Sequence, residues 1–445
     1  MDGELGVTQS FHIGDDLLEI ATSVIHPMVD YSGQKKGQSF ASMVDKTWAR
    51  MSGSSVWLDK YQVYLTVTRV FFYDKGVKHW PVINFIRAQL HDADWNHLEN
   101  HGIEWQGEMI TFPRMLPIDS PFIEKGAFYG PEDPRIIVEK GVENAEPVVI
   151  FNMISDLATV RRQMHAYRPF SNFTTAFKIE NEAPKGAEKN WAPFFVPEDN
   201  QHLSQHRHGR QYPSKYIHFV YEFYPLRILK CHLLNGACTF VYNQPQPSNY
   251  TEAHKHNDTQ GVMRGGTNFE PLPASLQTRP GLTSFIAMPR THTDGGCGKE
   301  ATYRPEFMVL TTNGTTFYLD YASEALNFGT ALLTPEQAGD VCDKGRILIA
   351  NSIARIHDDR YGKNKDSMVV SFSVDDSTVQ VAKVIGVQQL LGSIPQFQYR
   401  SVEGLELWKE SDMVWNQNVT SDVLLCSIQS ATDYAVANTR NDTLV

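Results

Sequence analysis

The sequence lacks long hydrophobic runs and a surplus of positive charge. Its 445 residues contain no stretch of about 18 apolar residues, so no membrane-spanning helix is predicted. The first residues also lack the basic-then-apolar pattern of a signal peptide. Lysine and arginine number 40 against 51 aspartates and glutamates, which gives a formal net charge of −11. A general nucleic-acid binder is therefore excluded, whereas a locally basic pocket for a phosphorylated ligand is not.

Cysteine is also scarce. None of the five cysteines forms a CxxC pair, so no zinc site is predicted. Cys231 and Cys238 flank an Asn-Gly turn, and they fit either a cross-hairpin disulfide or two reduced core thiols. Sequons for N-glycosylation favour a lumenal domain whose N-terminal anchor is missing from this chain; they begin at Asn172, Asn249, Asn257, Asn313, Asn418 and Asn441.

Several common enzyme signatures are absent. There is no GxSxG, P-loop or GxGxxG context, which argues against a serine hydrolase, a P-loop NTPase and a Rossmann enzyme. Helical periodicity is restricted to residues 14–29 and a helix start at 333–341. Histidines cluster at 201–210 and 252–258 without the spacing of metal ligands, so we interpret both stretches as surface loops.

Short β-rich runs are what the sequence does contain. They are rich in Val, Ile, Tyr, Phe and Thr, and they recur with turns between them at 61–73, 81–90, 135–140, 146–154, 215–231, 237–242, 306–321, 346–356 and 367–384. Paired strands at such spacing favour an all-β protein, specifically a β-propeller with polar loop ends around a central pocket. We expect an N-terminal extension over residues 1–55, partly helical, and the propeller over residues 56–445.

Residues 128–140 read FYGPEDPRIIVEK, with Glu132, Asp133, Pro134 and Arg135 directly before an apolar run. Pro134 fixes its own φ and favours extended geometry at Asp133, and Arg135 can orient or tune a carboxylate. The segment is either a capped turn that feeds a strand or a rigidly held catalytic carboxylate. Such a carboxylate would handle the proton of a glycosidic oxygen, or of an acceptor hydroxyl in the synthetic direction.

Cations stand within or beside the apolar runs. Burying them is costly without partners, so they either pair with acidic residues or line a pocket for an anion such as a diphosphate. They are Arg87, Arg161, Arg162, Arg168, Lys189, Arg264 and Arg304.

Two pairs of aspartates have alternative interpretations. Asp92 and Asp94 follow a strand as Asp-x-Asp, the pattern of metal-dependent nucleotide-sugar transferases, but without the alternating α/β layout we favour a polar turn. Asp375 and Asp376 lie in a strand-rich run, where a carboxylate could accept two sugar hydroxyls or belong to a surface turn.

Taken together, several segments resemble the fungal β-mannosyltransferases, which add β-1,2-linked mannose to cell-wall mannan. The resemblance covers about residues 56–384 and rests on PVINFIRAQLHDADW, FYGPEDPRIIV, EPVVIFNMI, HAYRPF, EKNWAPFF, HFVYEFYPLRILKCH, MRGGTNFEPLP and DGGCGKEATYRPEF. This family is in turn remotely similar to inverting β-mannoside phosphorylases, which are five-bladed propellers with a shared Glu-Asp-Pro-Arg motif.

The resemblance implies that Asp133 is the catalytic base and that mannose is transferred with inversion from GDP-mannose to a mannan or oligomannoside acceptor. It makes Arg87, Arg161, Arg162 and Lys189 candidates for the diphosphate and Asp376 for sugar binding. We assign the remaining substrate contacts to Glu132, Arg135, Arg168, Asn190, Arg264 and Arg304. No metal or other cofactor is expected, and no nucleic acid. Members usually sit in the Golgi lumen on an N-terminal anchor that this chain does not show.

Two alternatives stay open at this stage. A phosphorylase or hydrolase on the same fold would use the same carboxylate, and the donor would distinguish it from a transferase. A glycan-binding propeller without catalysis would show no transfer at all.

Overall fold

The computed structural model consists mainly of antiparallel β-sheets, which confirms the predicted predominance of strands. It describes residues 5–14, 16–32, 37–74, 76–196, 212–245, 262–273, 275–276, 281–297, 300–328, 331–333, 347–357, 366–394, 397 and 410–437. In this part of the chain, no helix combines the length and the apolar character needed to cross a bilayer. The two histidine-rich stretches lie outside the described residues, and so does nearly all of the helix expected at 333–341.

The strands, in chain order, are β1 (Gly6–His12), β2 (Trp48–Leu58), β3 (Val63–Phe72), β4 (Ile83–His91), β5 (His101–Trp105), β6 (Glu108–Phe112), β7 (Arg114–Met115), β8 (Glu132–Ile137), β9 (Val148–Asp156), β10 (Arg161–Arg168), β11 (Phe173–Ala176), β12 (Lys178–Ile179), β13 (Ala192–Phe194), β14 (Tyr216–Glu222), β15 (Arg227–His232), β16 (Ala237–Asn243), β17 (Val262–Arg264), β18 (Glu270–Pro271), β19 (Thr283–Ala287), β20 (Arg290–Cys297), β21 (Glu300–Pro305), β22 (Met308–Thr312), β23 (Phe317–Ala322), β24 (Leu348–Ile356), β25 (Ser367–Val374) and β26 (Thr378–Ile385). The described helices are α1 (Leu17–Ser23), α2 (Phe40–Thr47), α3 (Val387–Ser393) and α4 (Glu410–Ala437).

Five sheets of four or five strands follow one another along the chain. Their strand orders are β2-β3-β4-β7, β8-β9-β10-β11, β12-β16-β15-β14-β13, β18-β19-β22-β23 and β1-β26-β25-β24. Neighbouring strands are antiparallel except β12, which runs parallel to β16. The N-terminal strand β1 completes the last sheet by pairing with β26. Two smaller sheets, β17-β20-β21 and β5-β6, stand beside these five.

The hydrophobic core lies between successive sheets. Buried aliphatic and aromatic side chains join the first sheet to the second, the second to the third, the third to the fourth and the fourth to the fifth. A further cluster, which includes Trp57 and Val379, joins the fifth sheet to the first. The first strands of three sheets, β2, β8 and β24, also contact one another. Loop ends from different sheets therefore converge at the ends of these strands.

Segments at both ends of the chain pack on the sheets. Helix α1 begins at Asp16, whose carboxylate accepts the N–H groups of Leu18 and Glu19. Together α1 and α2 cover the first sheet through an apolar cluster. Because β1 belongs to a sheet and the boundary expected at residue 55 falls inside β2, the N-terminal extension is not separate from the sheets. Helix α4 was not predicted, since its Ser-, Thr- and Asn-rich sequence gives a weak apolar stripe.

The two cysteines around the Asn-Gly turn are joined. Cys231 and Cys238 face each other across the β15–β16 hairpin and form a disulfide. Of the two alternatives that the sequence left open, the structure therefore contains the cross-hairpin bridge.

Candidate active site

Asp133 lies in a β-bulge of strand β8. Glu132 pairs with Asn152 on β9. Arg135 pairs with Ile150, so three residue steps on β8 are matched by only two on β9. The extra residue releases Asp133 from the hydrogen-bonded ladder and turns its side chain out of the sheet. Bulges of this kind re-aim a side chain beside functional sites.

The backbone of Asp133 is left-handed, with φ of 51°. Our expectation that Pro134 would keep it extended was wrong, because the bulge overrides that local preference. A left-handed non-glycine residue costs about 1–3 kcal/mol, and such strain often marks a functional position. The preceding turn depends on Gly130 (φ of 79°), where a Cβ would lie 2.1 Å from the backbone oxygen of Asn84.

A second bulge, in β2, faces the first. Met51 pairs with Arg69, the register then shifts, and Ser52 has φ of 53°. The Ser52 hydroxyl donates to Asp133 Oδ1 at 3.3 Å, and Arg69 Nη1 donates to the same oxygen at 3.3 Å. The Asp133 side chain is still 38% exposed, so it is held from two sides and open on another.

Glu132 points into the protein beneath Asp133. Its buried carboxylate forms ion pairs with Arg162 and with Arg69, whose Nη2 lies 3.3 Å away. The Asn84 amide donates to it at 3.3 Å and accepts from Arg69 Nε at 2.9 Å. With its oxygens engaged in this way, Glu132 orients the two arginines. The structure thus places Glu132, predicted as a substrate contact, beneath Asp133 in contact with Arg69, Arg162 and Asn84.

Two further arginines lie near Asp133, Arg135 on β8 itself and Arg290 at the start of β20. Arg135 donates through Nε to the backbone oxygen of Gly266 at 2.7 Å. Arg290 donates to Asn190 Oδ1 at 2.9 Å and to the backbone oxygen of Gly265. These groups line a cavity of about 20 Å³ together with Asp133, Ile150, Asn152, Met164 and Trp191. That volume suits about one water-sized group.

The arginines decide the charge state of Asp133. Burial alone would raise the pKa of its carboxyl, but four guanidinium groups outweigh burial and lower it. They belong to Arg69, Arg135, Arg290 and Arg162. Asp133 is therefore an ionised carboxylate at neutral pH.

Asp376 behaves in the opposite way. It lies in the β25–β26 turn with φ of 49°, and burial followed by repulsion from Asp133 raises its pKa. Arg69, Arg290 and Lys78 oppose this shift. The two aspartates thus form a coupled pair whose pKa values are pushed apart.

Positive charge is in excess around this pair. Burial lowers the pKa of Arg135 to about 9, with repulsion from Arg290 adding to the effect. The pKa values of Lys189 and Arg290 are also lowered, first by burial. Within the described residues, three carboxylates (Glu132, Asp133 and Asp376) interact with five cations of this cluster, namely Arg69, Arg135, Arg162, Lys189 and Arg290, and a sixth cation, Arg264, interacts with Lys189 and Arg290. A buried excess of cations favours an anionic ligand.

Not every predicted site residue lies in this cluster. Arg87 pairs with Glu19 of α1 at 2.5 Å, and Arg161 lies opposite Asp156 at the β9–β10 turn. Arg168 lies at the other end of β10 from Arg162, roughly 20 Å away at the rise of a strand. The guanidinium of Arg304 stacks on the Tyr434 ring at 4.7 Å. For Arg87, Arg161, Arg168 and Arg304 the structure therefore shows other surroundings than those expected.

Arg69 and Arg290 were not among the site residues predicted from the sequence. Both have the signal that identified the other cations, an arginine within an apolar strand. Arg69 stands in LTVTRVFF and Arg290 in IAMPRTHT. A single sequence does not show which of two neighbouring strands turns its arginine towards Asp133. The prediction named Arg87 on β4, whereas Arg69 on β3 is the arginine that contacts Asp133.

Asp92 and Asp94 form the polar turn that we favoured. Asp92 accepts the N–H groups of Asp94 and Asn96 at 2.9 Å each, as well as the Asn96 side-chain amide. They follow the end of β4 that carries His91, away from the Asp133 bulge. No group of three or more potential metal ligands occurs in the part of the chain that the structure describes.

The fold and site define a mostly β protein with an ionised, arginine-ringed aspartate at the strand ends. A family model described as beta-mannosyltransferases matches residues 31–171 and 159–434. The chain belongs to the beta-mannosyltransferase family, as its sequence motifs predicted.

Individual relatives agree. Beta-mannosyltransferase 2 of Komagataella phaffii is 30% identical over 453 residues, which cover 97% of this chain and 67% of that protein. Beta-mannosyltransferase 3 of Candida albicans is 33% identical over 363 residues, which cover 78% and 59%. The chain thus spans about two thirds or less of the length of these relatives.

Solved structures are similar only remotely. A mannose phosphorylase from Leishmania mexicana in complex with phosphate ion has 11% identity and a TM-score of 0.41, covering 78% of this chain and 87% of that one. A family 117 glycoside hydrolase from Zobellia galactanivorans has 12% identity and a TM-score of 0.35, covering 84% and 93%.

Proposed function

We propose that this chain is an inverting mannosyltransferase that moves mannose from GDP-mannose to a mannoside acceptor and forms a β-1,2 linkage. The observation that carries the proposal is the state of Asp133. This residue lies at a β-bulge with its side chain partly exposed, and four guanidinium groups keep its carboxylate ionised. Family membership supports mannosyl transfer; the donor, linkage and stereochemistry are part of the proposal. We also propose that the five sheets are the blades of a five-bladed propeller, which is supported by the core clusters between successive sheets and by strand β1 completing the last sheet.

In the proposed reaction, an acceptor hydroxyl oxygen attacks the anomeric carbon from the face opposite the diphosphate. The new C–O bond forms as the bond to the diphosphate oxygen breaks, and GDP leaves with the electron pair. The acceptor proton passes to Asp133. Because attack and departure occur on opposite faces, an α-linked donor gives a β-linked product.

The charge states support a base at Asp133. A general base must be unprotonated, and a general acid that cleaves a glycoside normally has a raised pKa. The lowered pKa of Asp133 fits the first role, which belongs to synthesis. Its neighbour Asp376, whose pKa is raised by burial and by the charge of Asp133, offers carboxyl oxygens that can accept hydrogen bonds from sugar hydroxyls.

The excess of cations supports a diphosphate leaving group. As the bond to the anomeric carbon breaks, negative charge grows on the departing oxygen. Fixed guanidinium groups near Asp133 would stabilise that charge without reorganising. We assign this role to Arg162, Lys189, Arg264 and Arg290, with Arg135 and Asn190 holding the backbone and side chains around them.

We further propose that the protein works in the lumen of the secretory pathway, with mannan or oligomannosides as acceptors. The disulfide between Cys231 and Cys238 supports an oxidising compartment, because such bonds are rare where thiols are kept reduced.

A direct test is incubation with GDP-mannose and α-mannobiose, for wild type and Asp133→Asn, with and without EDTA. GDP release and the anomeric configuration of the product are measured. We expect a β-linked product that survives EDTA and is lost in the variant. EDTA-sensitive transfer would contradict a metal-free mechanism. Formation of mannose 1-phosphate from β-mannobiose and phosphate, without transfer from GDP-mannose, would instead identify a phosphorylase.

A further inference from the structure

A cleft of about 650 Å³ opens between the N-terminal helices and the first and fifth sheets. Helices α1 and α2 supply one wall, strand β2 and the β3–β4 loop another, and the β25–β26 turn a third. The lining residues are Asp16, Leu17, Leu18, Ala41, Val44, Asp45, Trp48, Ala49, Arg50, Tyr73, Lys78 and Ser377. None of them was identified from the sequence, and of them only Lys78 takes part in the site described above, through its interaction with Asp376.

The cleft borders the reacting centre. Ser377 follows Asp376 directly, and Lys78 interacts electrostatically with Asp376. Arg50 stands two residues before Ser52, the residue that bonds Asp133, and so lies roughly 7 Å from it along β2. A ligand in the cleft can therefore reach the Asp133–Asp376 pair with one end.

The charges in the cleft come from two kinds of element. Its cations, Arg50 and Lys78, stand on a strand and a sheet loop, close enough to repel each other. Burial, followed by this repulsion, lowers the pKa of the Lys78 ammonium against the attraction of Asp376. An anion between the two cations would relieve the repulsion. The carboxylates of the lining, by contrast, belong to the helices: Asp45 is exposed on α2, and Asp16 caps the start of α1.

We propose that this cleft binds the nucleoside diphosphate half of the donor, an inference that rests on the proposed transferase function. Arg50 and Lys78 contact the phosphate on the nucleoside side, while the cations assigned above stabilise the departing oxygen on the sugar side, and the apolar side chains of α1 and α2 flank the base. Asp45 accepts from the N1–H and N2 amino group of a guanine, donors that adenine lacks at these positions. A volume of about 650 Å³ is within the range of small-molecule sites, whereas the 20 Å³ cavity beside Asp133 is far too small for a nucleotide.

The test is calorimetric titration of the full chain with GDP, and separately with ADP and α-mannobiose. The variants are Lys78→Gln, which keeps the length of the side chain, and Asp45→Asn. Lys46→Ala on the same helix is the matched control, because it removes a positive charge without lining the cleft. Thermal melting verifies that each variant is folded.

We expect Lys78→Gln to weaken GDP binding about tenfold or more, the effect of one charge-assisted hydrogen bond. Asp45→Asn should reduce the preference for GDP over ADP. Lys46→Ala should bind GDP as wild type does, and none of the three should change the affinity for α-mannobiose.

Absence of GDP binding to the wild type would overturn the inference, and so would unchanged GDP binding in both cleft variants. A selective loss of α-mannobiose binding would also overturn it and assign the cleft to the acceptor. The transfer assay separates these failures from failure of the proposed function. If the wild type transfers mannose from GDP-mannose and the cleft variants bind GDP normally, only the assignment of the cleft is refuted. If GDP binds in the cleft but no transfer occurs, only the proposed transferase function is refuted.

Discussion

Burial alone would raise the pKa of both Asp133 and Glu270. The pKa of Asp133 is nevertheless lowered, whereas that of Glu270 is raised. Glu270 lies on β18, almost fully buried, with a single cation, Lys140, at 3.2 Å. Burial raises its pKa and Lys140 only reduces the shift. At Asp133 four guanidinium groups reverse the effect of burial. The number of nearby cations, and not the burial of the acid, therefore decides which of the two carboxyl groups has a lowered pKa.

The two carboxylates lie at opposite ends of the sheets. Lys140 follows Asp133 by seven residues, nearly all along or just past β8, a separation of roughly 23 Å if the chain stays extended. At the Glu270 end, a cleft of about 330 Å³ holds opposing charges in balance, with Asp59 and Glu270 against Lys140 and Arg355. At the Asp133 end cations prevail. In a chain of net charge −11, this excess is a local property of the proposed reaction site.

The largest expected effect comes from replacing each of the two acids, in turn, by its amide. Asp133→Asn removes the proposed base and should lower mannosyl transfer by about 10²–10⁴-fold. Glu270→Gln removes the carboxylate at the other end and should leave transfer unchanged. Initial rates of GDP release measure both. Equal losses in the two variants would refute the assignment of the base to Asp133.

Removing one of the cations around Asp133 should shift its pKa upwards, in the direction of the shift at Glu270. Arg69 bridges Glu132 and Asp133, so Arg69→Met should destabilise the fold by about 1–3 kcal/mol, the cost of losing one charged partner while Arg162 still pairs with Glu132. The pKa of Asp133 should rise, and the acid limb of the pH–rate profile should shift to higher pH. Arg168→Met, at the far end of β10, is the control and should shift nothing.

The sign of the stability change follows from linkage. A carboxyl with a lowered native pKa contributes stability above its unfolded pKa, and this contribution is lost as pH falls through the native pKa. In Arg69→Met the native pKa lies closer to the unfolded value, so this contribution should be smaller and its loss should be complete at a higher pH. Chemical denaturation between pH 3 and pH 7 measures it, and an unchanged acid limb in both rate and stability would contradict the role of Arg69.

Much of this comparison was accessible from sequence, but not all of it. GPEDPR identified Asp133 through its family resemblance, and β-branched runs located 12 of the 26 described strands. Arg69 and Arg87 carry the same local signal on adjacent strands, and only the tertiary structure shows that one faces Asp133 and the other Glu19. The bulges that aim Ser52 and Asp133 depend on pairing with distant strands. No local pattern could have predicted them, and Pro134 indicated the wrong geometry.

A smaller effect is expected from removing Lys140, the cation that pairs with Glu270. Lys140→Met should cost about 1–3 kcal/mol at pH 7, less than for a fully buried pair because Lys140 is partly exposed. A raised native pKa means stability that is present at low pH and lost as pH rises through it. The deficit of the variant should therefore grow from pH 4 to pH 7. Transfer activity should not change.

The double variant Lys140→Met with Glu270→Gln separates charge from packing. It removes both members of the pair and should regain most of the lost stability, with no pH-dependent deficit. A deficit that persists in the double variant would show that Lys140 stabilises this end by packing, and the parallel with Asp133 would fail.

The smallest effect should come from Arg87, the cation that resemblance assigned to the diphosphate. Its partner Glu19 is half exposed, so water can solvate it after Arg87→Met, and the stability should change by no more than about 1 kcal/mol. Because Glu19 lies on α1, which lines the proposed nucleotide cleft, the KM for the donor should rise slightly while kcat stays constant. Glu19→Gln should raise the KM in the same way but destabilise the fold more, because it leaves the buried Arg87 without a counter-charge, and the two changes in KM should not add, since both break one ion pair. A loss of kcat in Arg87→Met alone would instead place Arg87 in the reaction.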